Sequence, residues 1–251
     1  MSSYFAIPPD FSYKQHNRGG FAQVNGIDLY YEQYGQGDAL LLLHGNAQSV
    51  DFLCLQIPFF AQHYQVIAVD TRGHGKSATG DIPFSFELLA ADMDALLQHL
   101  NIDNAYVVGW SDGGNTGLTM AMQYPHRVKK LVTMGSNIFM DETVVDAALI
   151  AEAQQMAQSL ADDPTPENQR IANMVQLTLH HPQHRLEDLQ QITCPVLVMA
   201  GETDVIKSGH TKQIAANIPK GQLLIAPGET HHYPVRNPAA FNQTVLEFLK
   251  G

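Results

Sequence analysis

A serine stands between two glycines at Gly109-Trp110-Ser111-Asp112-Gly113. It follows the apolar run Tyr106-Val107-Val108 and precedes a small-residue segment able to open a helix. This is the pattern of a nucleophile elbow, in which a sharp strand-to-helix turn strains the serine backbone and leaves no room for side chains at the flanking positions. A serine hydroxyl is a weak nucleophile at neutral pH and needs an adjacent base to take its proton. Histidine can do so and then return the proton to a leaving group, provided a carboxylate fixes its tautomer. Further along stand Glu202 and Asp204, then the adjacent His231 and His232. G-x-S-x-G alone is a common string, so its weight depends on whether the fold gathers these partners.

A continuous apolar run at 39–43 reads as a strand buried on both faces, as does 64–69, and 128–134 and 195–200 read as further strands. The segment 222–225 reads as another strand. Asn25-Gly26 sits between two short alternating runs within 21–35 and predicts an antiparallel hairpin, because a type I′ turn needs positive φ at both central residues. Helical spacing covers 84–100, through Leu88, Leu89, Met93, Leu96, Leu97 and Leu100, and also 115–123, 211–217 and 239–249. Between 138 and 191 no strand is visible, and the pattern is helical over 143–160 and 167–180. A hairpin followed by β-α-β alternation predicts a mostly parallel sheet with helices on both faces. Ligands bind such sheets at the carboxyl ends of the strands. His44-Gly45-Asn46, Asp70-Thr71-Arg72, Ser111, Asp204 and His231-His232 each follow a strand, so they share that rim. Five clusters on one rim outline a site.

Composition narrows the partners. The 251 residues carry a net charge of −11, which argues against nucleic acid or an anionic membrane surface. No stretch reads as a signal h-region or a bilayer span, so the expected location is cytoplasmic. Cys54 and Cys194 lie in apolar settings and read as two buried thiols rather than a disulfide. Residues 1–20 form a polar lead-in, packed over the body or frayed. The oligomeric state is not legible.

HGN at 44–46, DTRGHGKS at 70–77, GWSDGG at 109–114, GETD at 201–204 and the histidine preceding RNPAAFNQTVLEFL together resemble the α/β-hydrolase superfamily, in order and over nearly the whole chain after residue 20. GWSDGG is similar to the esterase-like branch that includes the valacyclovir hydrolase (biphenyl hydrolase-like) proteins. The resemblance implies the α/β-hydrolase fold: an eight-stranded, mostly parallel sheet covered by helices on both faces. Its core would be 21–137 and 192–251, with a helical lid inserted at 138–191. It implies a catalytic set of Ser111, Asp204 and His231. Asp204 is aligned in preference to Glu202. His231 is favoured over His232 because the family's proline seven residues after the histidine is Pro238, although Thr230 stands where the family has glycine. Oxyanion donors are expected from the backbone N–H of Asp112 and from Asn46, the latter by its N–H, with its side-chain amide or a purely turn-shaping role as alternatives. Trp110, Asp112 and Asn46 are the expected substrate-binding residues.

Asp112 has two readings. It is an acidic residue favoured in the first turn of a helix by the dipole, or its carboxylate faces the pocket and pairs with a substrate ammonium. Asp70, Arg72 and His74 read as a loop braced by ion pairing and hydrogen bonding, and His44 as a scaffold residue. His180, His181 and His184 read as a solvated helix end rather than a metal site, since no ligand set completes them. Met156, Met174, Leu160 and Leu177 read as ordinary core or as the lining of an apolar pocket under the insertion. The expected activity is hydrolysis of small carboxylic esters through an acyl-enzyme, with water as co-substrate and no cofactor. Lactonase, thioesterase and carbon–carbon bond hydrolase chemistry use the same residues, and a slow or non-catalytic ligand-binding protein of the same fold is the rival from another class.

Overall fold

A computed structural model describes residue 5 and residues 9–251. The parts of the lead-in at 1–4 and 6–8 lie outside the described residues. The rest of the lead-in docks on the body through the turn Ser12–His16, where Lys14 pairs with the buried Glu32 at 3.2 Å and with Asp51.

The hairpin forms as expected from β1 (Gly20–Val24) and β2 (Ile27–Tyr34), with Asn25 and Gly26 at φ of 42° and 79°. It is followed by β3 (Ala39–Leu43), β4 (Gln65–Val69), β5 (Ala105–Trp110), β6 (Val128–Met134), β7 (Val196–Thr203) and β8 (Gly221–Thr230). Together they make an eight-stranded sheet in the order β1-β2-β4-β3-β5-β6-β7-β8. β1 and β2 run antiparallel; from β4 to β8 neighbours are parallel.

Side chains alternate between the two faces of the sheet, and both faces are buried. Leu41, Leu43, Val107 and Leu131 pack with helices α2 (Phe86–His99), α3 (Asp112–Gln123) and α6 (Ser208–Asn217). Leu40, Leu42, Val108 and Val132 pack on the other side with α1 (Ile57–Phe60) and α8 (Pro238–Lys250), the latter preceded by the one-turn α7 (Tyr233–Arg236). Two-sided burial explains why β3 reads as five consecutive apolar residues instead of an alternating pattern. Cys54 and Cys194 are both buried free thiols.

Between β6 and β7 the chain leaves the sheet for α4 (Ala147–Asp162) and α5 (Pro166–His180). α5 starts where Thr165 caps the N–H of Asn168 with Pro166 in the first turn, a pairing suited to a helix start. α4 begins later than the spacing predicts. Asp141 captures the N–H of Thr143 at 2.7 Å in a local turn, and Val144 and Val145 bury against Ile206 instead of continuing a helix backward. None of α4 is buried, whereas α5 sinks Met174 and Leu177 against Phe84, Phe86 and Leu89.

Two strands outrun their sequence signal. β7 extends to Thr203 and β8 from Gly221 to Thr230, pairing Thr203 with Thr230 beyond a register shift. Pro227 and Gly228 hide the second half of β8 from a propensity reading, but β8 ends the sheet, and an edge strand tolerates a missing N–H. The extension carries Asp204 and His231 to the same point.

Candidate active site

Ser111 sits between β5 and α3 with φ 55° and ψ −120°. Positive φ on a non-glycine residue costs roughly 1–3 kcal/mol and persists only when the surroundings fix it. Here the Ser111 N–H donates to Met134 O at 2.7 Å, and its carbonyl accepts from the N–H groups of Gly114 and Asn115. The flanking glycines are required by space: a Cβ on Gly109 would lie 2.2 Å from Gly113 O, and one on Gly113 would lie 2.3 Å from Leu43 O. α3 begins at Asp112, three residues before the predicted start, so the serine stands directly at a helix N-terminus with its partial positive charge.

The carboxylate of Asp204 accepts a hydrogen bond from His231 Nδ1 at 2.7 Å and from the N–H of Ile206 at 3.0 Å. Its side chain is 1% exposed. Because an ionised carboxylate only accepts, the ring carries its proton on Nδ1, which leaves the Nε2 lone pair as the basic end. The rivals lie elsewhere. Glu202 accepts from the N–H of Gly228 at the surface. The His232 ring packs edge-on against Trp110 at 5.8 Å, and burial lowers its pKa. Gly135 leaves room for the acid–histidine pair: with φ 64°, any Cβ there would lie 2.5 Å from His231 Nδ1. The signal available was a glycine at the end of β6, beside Ser136 and Asn137.

Ser111, Asp112, Asn46, Asn137 and His231 line one cavity of about 180 Å³, roofed by Met140, Leu149, Ile150 and Leu179. Trp110 lines neither this cavity nor its larger neighbour. Its indole N–H donates to His231 O at 2.8 Å, so it supports the histidine loop from behind in place of the expected substrate contact. Of the insertion residues singled out, Met174 and Leu177 anchor α5 on the core, and Met174 and the exposed Met156 border the larger cavity.

Asn46 stands on the loop that follows β3. A Cβ on the adjacent Gly45 would come 3.1 Å from Ser111 Cβ, so this loop lies against the serine. The Asn46 side-chain amide donates to Met174 O at 2.9 Å and to Thr178 Oγ1 at 2.7 Å, both on α5. The side-chain amide thus ties this loop to the inserted helix. Beneath the loop, buried His44 accepts from the Thr71 N–H at 3.1 Å and meets Gly45 O at 2.7 Å through Nδ1. Burial lowers its pKa to about 4, so it is a neutral brace.

The partly buried Asp112 has Oδ2 sealed from solvent without a hydrogen-bond partner, while Oδ1 accepts weakly from Asn115 at 3.4 Å. Burial pushes its pKa up to about 7, with the Asn46 amide and His231 opposing that shift. Asn115 and Asn137 exchange hydrogen bonds at 2.9 and 2.8 Å and fix this wall of the cavity. The 70–77 loop is braced by hydrogen bonding and ion pairing, as expected. Asp70 caps the N–H groups of Val50 and Lys76, while Arg72 forms a buried bidentate pair with Asp92 on α2, at 2.7 and 2.8 Å. His184 packs on Thr119 at 3.0 Å, and among the described residues no group of three His, Cys, Asp or Glu is placed to hold a metal ion.

A strained serine on a strand–helix turn, a strand-end acid and a late histidine on one sheet rim define a class. The model of the alpha/beta hydrolase fold family matches residues 38–188, and the chain belongs to that family. It is 28% identical to the serine hydrolase BPHL of Homo sapiens over 246 residues, covering 90% of this chain and 84% of that protein. It is also 28% identical over 250 residues to the 3-oxoadipate enol-lactonase 2 of Acinetobacter baylyi, covering 89% of this chain and 94% of the relative. The carboxylesterase CesB (YbfK) of Bacillus subtilis superposes with a TM-score of 0.78 at 21% identity, covering 98% of this chain and 93% of that one, a likeness of fold. No helix among the described residues is long and apolar enough to cross a membrane.

Proposed function

We propose that the protein is a serine hydrolase of small carboxylic esters that works through an acyl-enzyme. The observation that carries this reading is the 2.7 Å Asp204–His231 hydrogen bond, with the histidine and Ser111 on the wall of one cavity. His231 Nε2 takes the Ser111 hydroxyl proton as Oγ bonds to the ester carbonyl carbon. The oxyanion develops toward the N–H groups of Asp112 and Asn46, aided by the N-terminus of α3. Collapse breaks the carbon–oxygen bond to the alcohol, which leaves with the proton from His231. Water then adds by the same route and releases the acid. Asp204 holds the ring and stabilises the imidazolium. None of these steps calls for a cofactor.

A lactone is an ester closed on itself, and the similarity to an enol-lactonase supports including one among the substrates. The 180 Å³ cavity suits a small acyl group, and the inserted helices act as a lid that shapes it. In its ionised form, the Asp112 carboxylate disfavours anionic substrates and favours an ammonium on the acyl half. The test is a panel of p-nitrophenyl and amino-acyl esters with one lactone. Many turnovers per protein are expected, falling by at least about 10⁴-fold in Ser111→Ala, and His231→Gln is expected to lose activity where His232→Gln keeps most of it. An α-amino ester is expected to outrun its des-amino analogue, an advantage lost in Asp112→Asn. Binding of esters without turnover would instead support a ligand-binding protein.

A further inference from the structure

The contact between Asn46 and α5 joins two parts of the molecule that the chemistry treats separately. Asn46 belongs to the loop lying against Ser111, and its amide donates to Met174 O at 2.9 Å and Thr178 Oγ1 at 2.7 Å. These partners lie 128 and 132 residues away in sequence. The Thr178 hydroxyl donates in turn to Met174 O at 3.3 Å, so its oxygen is oriented to accept from Asn46. α5 is itself seated on the core through Met174 and Leu177, and Arg170 donates to Gly73 O at 2.9 Å. The loop needs such an outside tie. Ala47, next to Asn46, is held at φ 54°, and the inward side of the loop is fixed by Gln48, which accepts from the Gly45 N–H at 2.8 Å. Gln48 braces one end of the turn; Thr178 braces the other.

Asn46 and Thr178 also stand, with Leu149 and Ala153, on the wall shared by the 180 Å³ cavity and a neighbouring cavity of about 900 Å³ between the loop and the two inserted helices.

We infer that Thr178 is a positioning residue for hydrolysis: through Asn46 it latches the oxyanion loop to α5, so that the loop is in catalytic register only when α5 is seated. The inference rests on the reading of the site given above. It assigns Thr178 no contact with the reacting atoms. Its effect is on the step in which the oxyanion forms, because a donor displaced by a fraction of an ångström weakens stabilisation of the transition state while barely altering capture of the ester.

The test is Thr178→Val, which keeps the branched shape and removes the acceptor, beside Thr178→Ser, which keeps the hydroxyl. On p-nitrophenyl acetate the valine variant is expected to lose about tenfold in kcat with KM within about twofold, less than the 10²–10³ of deleting an oxyanion donor outright. The serine variant is expected within about twofold of the parent, and fluorophosphonate labelling should slow in parallel with kcat. If Thr178→Val fails to fold by circular dichroism, Thr178→Ala is read in the same way. A valine variant with parental kcat, a loss confined to KM, or failure of serine to restore the rate overturns the latch. Full activity in Ser111→Ala, measured alongside, would overturn the reading of the site instead, so the two failures are distinguishable.

Discussion

Ser111 and Asp112 are neighbours with opposite electrostatic situations. Ser111 lies where the helix N-terminus favours negative charge, and Asp112 carries a carboxylate sealed too deeply to ionise easily. An acid whose pKa is raised in the folded state binds its proton more tightly there than when unfolded. The stability this gives is full below about 3.8 and is lost as pH rises toward about 7. Asp112→Asn removes the titration, so urea denaturation should show it more stable than the parent at pH 8 by on the order of 2 kcal/mol, with little gain at pH 4. An equal gain at both pH values would contradict the burial. At this scale the chain was largely legible where chemistry demands particular residue types: Ser111, Asp204 and His231 stand out by type and by their place after strands. Gly135 and Thr178 did not, because one matters for a Cβ it lacks and the other for a partner 132 residues away.

The elements that present these residues were legible wherever hydrophobic pattern decides them. β3 matches its apolar run, β6 keeps the bounds read for its strand, and the Asn-Gly turn gives the expected antiparallel hairpin. The pattern was silent where tertiary pairing overrides propensity, as in the outer half of β8, where Pro227 and Gly228 fall in the register shift and Thr230 pairs with Thr203 beyond it. It was also silent on ion-pair partners. Arg72 was seen, but its partner Asp92 lies on α2 within a helical pattern whose polar positions suggest solvent. Both side chains are nearly inaccessible, at 1% and 0% exposure. Removing one partner of a buried pair leaves an uncompensated charge, so Arg72→Met should cost about 3–5 kcal/mol in urea unfolding. A cost below about 1 kcal/mol would mean that the 70–77 loop is not held by this pair.

Across the whole molecule, two cores pack on opposite faces of one sheet, and the candidate site lies on the loops at one rim. That rim and its surroundings contain His44, His74 and His210, buried and neutral, with pKa values lowered chiefly by burial to about 4, 3 and 4. Unfolding frees each to take a proton near its ordinary value of 6.5. Stability should therefore be full above about pH 6.5 and decline as pH falls toward 4, only partly offset by Asp112, whose contribution has the opposite sign. A melting temperature that stays flat or rises between pH 7 and 5 would argue against it. On the proposed function, this rim activates Ser111 as the nucleophile. The measurement that tests it most directly is intact and peptide mass spectrometry after treatment with a fluorophosphonate. One adduct per chain, on the peptide containing Ser111 and lost together with ester turnover in Ser111→Ala, is the expected result. No adduct, or labelling and turnover that survive that substitution, would contradict it.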